Sequence, residues 1–177
     1  MRRLLAVAAS AVLFISCNQN PASEKKTDTM AAKTDSIMYP YKANYSAAFM
    51  MGEPANAKTV LDIWKAWEEN RLPDTKALWG DTVTMEFASG FKLHAGRDSL
   101  INGGVAERAK FTSVIDSVHA WMPLHSTDRN EDWVAIWGTE YTVDKKGKKD
   151  TADLHEVWQL KNGKVAWVLQ YSAKRKM

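Results

Sequence analysis

Val60, Ile63, Trp64 and Trp67 recur at helical spacing, while Lys58, Asp62, Lys65 and Glu69 fall on the opposite side. This predicts an amphipathic helix with Asn56 as its N-cap. A short second helix follows, capped by Asp74 and ended by Gly80. From Thr82 to Ala95 the pattern changes to alternation, the mark of a hairpin. A three-residue loop, Ala88-Ser89-Gly90, pairs Phe87 with Phe91, Glu86 with Lys92 and Met85 with Leu93. That register separates apolar from polar and puts Gly90 where a left-handed residue is needed. A third helix opens at Gly96-Arg97-Asp98 and runs to about Lys110.

The rest is strand-rich. Strands are expected over 112–124, 133–143, 151–160 and 164–171, with turns at 127–131, 145–148 and Asn162-Gly163. A two-residue loop at Asn162-Gly163 sets Leu160 opposite Val165, Trp158 opposite Trp167, Glu156 opposite Leu169 and Leu154 opposite Tyr171. That face is apolar and aromatic except for Glu156, so it should pack toward the helices. A carboxylate there loses solvation, its pKa rises, and such groups gather at functional sites. Two readings stand for Glu156: a functional acid, or a group at the rim or bonded to a polar neighbour that only shapes the core.

The 177 residues carry 45% hydrophobic and 25% charged side chains, the composition of one globular domain. All eight tryptophans lie beyond residue 60, which places the packed core there. Net charge is +3, and it falls to +1 if the two arginines Arg2 and Arg3 are removed with a leader, so nothing suggests a nucleic-acid partner. Arg2 and Arg3 precede an apolar run, Leu4 to Ile15, too short to span a bilayer but suited to a signal peptide. It ends in Leu13-Phe14-Ile15-Ser16-Cys17, which resembles the lipobox of bacterial lipoproteins. The resemblance implies a signal peptide over 1–16, lipidation at Cys17, a polar tether to residue 40 and a domain over 41–177. It also implies a lipid-anchored location in the cell envelope, and Asn18 in place of Asp favours the outer membrane, periplasm-facing or surface-exposed.

Three segments mark a wider likeness: Ala77-Leu78-Trp79-Gly80-Asp81 before the first strand, Gly96-Arg97-Asp98 before the third helix, and Asn162-Gly163-Lys164-Val165 before the last strand. In this order they resemble the nuclear-transport-factor-2-like, or SnoaL-like, superfamily, over about residues 54 to 171. The resemblance implies an α+β cone, with three N-terminal helices on a strongly curved, mainly antiparallel sheet around a pocket, and often a dimer through the outer sheet face. The superfamily includes ketosteroid isomerases, which use an Asp base and an oxyanion hole of a Tyr and a protonated Asp. On this chain the protonated-acid position falls on Glu156, the base on Phe87 and the tyrosine near Ile63. Neither Phe87 nor Ile63 can move a proton. A slip of one residue would make Glu86 the base, but its pairing with Lys92 favours a surface ion pair.

Other chemistry is sparse. His94, His119, His125 and His155 show no metal-ligand spacing; His119 and His125 stand roughly 20 Å apart if on one strand. His155 and Glu156 are neighbours and so point to opposite faces. Of the four, His155 is the one singled out as a weaker catalytic candidate. Asp128 to Asp132 begins like a calcium loop but has Trp133 where glycine is required. No metal and no cofactor is expected. The pocket is expected to be walled by Glu156, Trp158, Trp167, Leu169, Phe87 and Trp64, a setting for a small, largely apolar ligand. Trp133 and Trp137 share a parity and would wall that pocket or form a homodimer interface. Three functions follow: a non-catalytic ligand-binding lipoprotein, an isomerase or cyclase using Glu156, or a dimeric interaction module.

Overall fold

The computed structural model describes residues 38–175, and the account below concerns the domain from Tyr41 onward. The expected signal peptide, Cys17 and the expected tether as far as residue 37 lie outside the described residues. Seven strands form one sheet: β1 (Phe49–Met51), β2 (Trp79–Phe87), β3 (Lys92–Gly96), β4 (Phe111–Ser126), β5 (Glu131–Asp144), β6 (Lys149–Lys161) and β7 (Lys164–Lys174). Their order is β1-β4-β5-β6-β7-β2-β3, antiparallel throughout except for the parallel β2–β7 pair. Two α-helices, α1 (Pro54–Glu68) and α2 (Arg97–Arg108), and a 3-10 helix (Leu72–Leu78) cover its inner face. This is the α+β cone expected from the sequence.

Helix α1 buries Val60, Ile63 and Trp64 against the sheet residues Val83, Val134, Ile136 and Val168. On its wet side Lys58 reaches Asp62 at 2.6 Å, one helical turn on. Its last carbonyls are satisfied from elsewhere: buried Arg108, at the end of α2, donates to the oxygens of Trp67 (2.8 Å) and Glu68 (2.9 Å). The helix begins earlier than expected. Glu53 is the N-cap and Pro54 opens the first turn, where a fixed φ helps and a missing N–H costs nothing. Asn56 is therefore buried within that turn and caps nothing.

Asp74 likewise falls inside the 3-10 helix, and Gly80 belongs to β2. A Cβ on Gly80 would stand 3.1 Å from the Val165 carbonyl, so this glycine permits the close approach of β2 to β7 and does not end a helix. Strand β1 had no sequence signal: it has three residues, all exposed, too few to show alternation.

The β2–β3 hairpin has the expected register, Glu86 opposite Lys92 and Met85 opposite Leu93, with Gly90 at φ +85°. The β6–β7 hairpin departs from expectation. Leu160 faces Val165 as read, but the register then shifts: Gln159 faces Trp167, Trp158 faces Val168 and Glu156 faces Gln170. Ala166 is the extra residue of a bulge. Every β7 side chain beyond it changes face. The shift gives Glu156 an amide neighbour where the straight register offers leucine.

Candidate functional site

A cavity of about 610 Å³ lies between the two helices, the 3-10 helix and the inner sheet face. Trp64 from α1, Phe87 from β2, and Glu156 and Trp158 from β6 line it, as the sequence predicts. Trp167 and Leu169 do not: the Ala166 bulge turns them to the outer face, across from Gln159 and Val157. There the Trp167 indole meets Trp133 edge-on and donates to Glu86 at 2.8 Å.

Glu156 is buried at 4% exposure, and both its oxygens are occupied. Oε2 accepts from the indole Nε1 of Trp64 (2.7 Å) and of Trp158 (2.8 Å), and Oε1 accepts from Gln170 Nε2 (2.6 Å). Burial lifts its pKa above the ordinary carboxyl value, and the three donors pull against that rise. The carboxyl thereby clamps α1, β6 and β7 together. Ile63 and Phe87, the positions of tyrosine and base implied by the resemblance, both line the cavity as hydrocarbon walls.

Two carboxyls that the sequence reading missed stand in the same cavity. Asp116 on β4 and Glu140 on β5 are cross-strand partners on the inner face. Burial pushes Asp116 up to about 7, helped by the negative charges of Glu140, Glu68 and Glu156. Its Oδ1 is wholly buried and accepts no hydrogen bond among the described residues. Burial raises Glu140 too, opposed by the Trp67 indole, which donates to Oε2 at 2.6 Å, and by Arg108. The signal was present in the alternation: Val114-x-Asp116-x-Val118, and Val134-x-Ile136-x-Gly138-x-Glu140, each put one acid on an otherwise apolar side.

The remaining candidates lie outside the cavity. Glu86 pairs with Lys92 at 2.7 Å, and that ammonium, with the Trp167 indole, holds its pKa below the ordinary value. His155 is exposed on the outer face against Trp137, 5.9 Å between ring centroids, and away from Glu156. His125 meets Asp132 at 2.8 Å and His94 meets Thr84 at 2.9 Å, both between neighbouring strands. Asp128 sits in the β4–β5 turn and accepts from the hydroxyls of Ser46 (2.6 Å) and Ser126 (2.7 Å). Among the described residues no three His, Cys, Asp or Glu side chains gather as a metal site, and no helix is long and apolar enough to cross a membrane.

No family model matches the chain, and no curated protein matches it. Solved structures do. An LEH-like epoxide hydrolase from M. tuberculosis superposes with a TM-score of 0.55 at 13% identity, covering 68% of this chain and 84% of that one. An NTF2-like protein of unknown function from Burkholderia pseudomallei gives 0.52 at 18%, covering 66% and 88%. A protein with a ketosteroid isomerase-like fold from Catenulispora acidiphila, solved in complex with trimethylamine, gives 0.53 at 14%, covering 64% and 84%. Likeness at these identities establishes the fold and leaves chemistry to the residues. The chain carries a domain of the nuclear-transport-factor-2-like fold.

Proposed function

We propose that this is a lipid-anchored envelope protein whose cone-shaped domain holds a small, largely apolar molecule without turning it over. The observation that carries the reading is the state of Glu156. Three N–H donors from Trp64, Trp158 and Gln170 already bind its two oxygens, and Phe87 and Ile63 in the same cavity wall cannot take up or give a proton. What remains is a cavity of ligand size walled by four indoles, Trp64, Trp67, Trp79 and Trp158. The Catenulispora relative of this fold holds a small organic molecule, trimethylamine.

Native mass spectrometry on the chain, purified gently and without its lipid, tests this. A mass excess of a few hundred daltons that disappears on denaturation supports a filled cavity. A clean mass that stays clean after incubation with a cell extract's organic fraction speaks against it.

A second reading has its own support. Asp116, poised near neutrality beside Glu140, has the protonation behaviour of a general acid or base. An enzyme of the isomerase or cyclase type would then use this pair, with Glu156 holding the walls in place. Homodimer formation is also part of the proposal: Ile115 and Tyr141 face each other on the outer side of the sheet, and Trp137 and Tyr171 flank His155 there, at 37–56% exposure. Sedimentation at micromolar concentration tests that element.

A further inference from the structure

Four carboxyls line the cavity: Glu107 on α2, Asp116 on β4, Glu140 on β5 and Glu156 on β6. No lysine, arginine or histidine among the described residues lines it with them. Lys110 pairs with Glu107 at 2.6 Å, and the two cations whose charge reaches Asp116 and Glu140 are engaged elsewhere. Arg108 gives its guanidinium to three backbone oxygens, and Lys65 pairs with Glu68 and Glu69 on the wet side of α1.

The acids are not equivalent. Glu156 accepts from Trp64, Trp158 and Gln170, and Glu140 takes the Trp67 indole on one oxygen. Asp116 Oδ1 is wholly buried with no donor among the described residues. A buried acid without a donor has nothing to offset the cost of its charge. The cross-strand pairing adds Glu140 beside it, so this corner of an apolar cavity concentrates negative charge.

We infer that the molecule held in the cavity bears a protonated amine, whose charge rests between the carboxyls of Asp116 and Glu140, with its apolar body against the indoles. This rests on the reading of the cavity as a ligand site. The same field disfavours a ligand carboxylate, so the assignment is to one class: hydrophobic amines, in preference to neutral or acidic molecules of the same shape.

Three probes of nearly one skeleton separate these classes: 2-(1-naphthyl)ethylamine, 2-(1-naphthyl)ethanol and 1-naphthylacetate. They are titrated calorimetrically at about pH 8, where Asp116 is ionised, into the full chain carrying Cys17→Ser so that no lipid competes. The amine should bind about tenfold or more tighter than the alcohol, and the acid weakest. Asp116→Asn and Glu140→Gln should each remove most of that preference and leave the alcohol within about twofold. Asp116→Asn removes a buried charge without changing shape, and a thermal melt checks that the fold is kept.

An alcohol that binds as tightly as the amine overturns the amine assignment while the cavity reading stands. An amine preference that survives both substitutions places the charge elsewhere and also overturns it. Failure of all three probes to bind overturns the cavity reading together with this one.

Discussion

The indole Nε1 of Trp64 donates to Glu156 Oε2 at 2.7 Å, joining α1 to β6 across 92 residues of sequence. Gln170 and Trp158 complete the shell. Each donor is buried or partly buried, so removing the acceptor strands them all. Glu156→Gln can keep both indoles on its oxygen and donate its amide N–H to a flipped Gln170, so it should cost less than about 1 kcal/mol. Glu156→Ala adds a void and should cost roughly 3–5 kcal/mol. Urea unfolding of both variants measures this. A change below half a kilocalorie in Glu156→Ala would deny the carboxyl its clamping role.

Asp116 sets a pH dependence. Its pKa is about 7 in the folded domain against an ordinary 3.8. Between those values the folded chain keeps a proton that the unfolded chain has released. Stability from this group is therefore complete at pH below the unfolded value and declines as pH rises toward 7. Water reaches part of the side chain, which reduces the effect to about 1–2 kcal/mol. Asp116→Asn should raise stability by that amount at about pH 8 and by almost nothing at about pH 4. Denaturant midpoints at the two pH values check it. A loss of stability in the variant at both would contradict the description of this corner as an unpaired buried charge.

Gly138 lies opposite the irregularity in β4, where pairing shifts between Val118 and Ala120. A Cβ there would stand 2.6 Å from the Ser117 carbonyl oxygen and 3.2 Å from the Val118 Cα, both backbone atoms that cannot swing aside. Gly138→Ala should destabilise by about 2–4 kcal/mol and loosen the β4–β5 ladder on which Asp116 and Glu140 are mounted. Hydrogen exchange of β4 and β5 amides follows this directly. By contrast, Gly103→Ala meets nothing within 4 Å and should be tolerated.

Anchoring through Cys17 is tested by fractionation. The unchanged chain should sediment with membranes and incorporate labelled fatty acid, and Cys17→Ser should do neither. A soluble, unlabelled natural chain would leave the domain without the anchor proposed for it.

The fold was legible because its elements carry local signals: the helical spacing of Val60, Ile63, Trp64 and Trp67, the Gly90 turn, and Asn162-Gly163. The Glu86–Lys92 pair could be read for the same reason, since a short loop pins the register beside it. The site was legible only near such pins. Past Leu160 the bulge at Ala166 reverses the faces of β7, and nothing in the residues around Ala166 announces it. The straight register therefore puts Trp167 and Leu169 on the wrong side and hides Gln170 as the partner of Glu156. Asp116 and Glu140 lie on strands joined by a longer turn. Their opposition is a product of the β4–β5 register, which itself contains two shifts.

The central claim is that the indole-walled cavity is where a small apolar molecule binds, and a filled-cavity variant tests it most directly. Ala152, on β6 opposite Glu140, lines the cavity and leaves room for a larger side chain. The neutral fluorescent probe N-phenyl-1-naphthylamine should bind the Cys17→Ser chain with a saturable rise in emission, at about one probe per domain, and Ala152→Trp should abolish that rise while the domain stays folded. Probe binding that is absent in the parent chain, or unchanged in Ala152→Trp, would contradict the account.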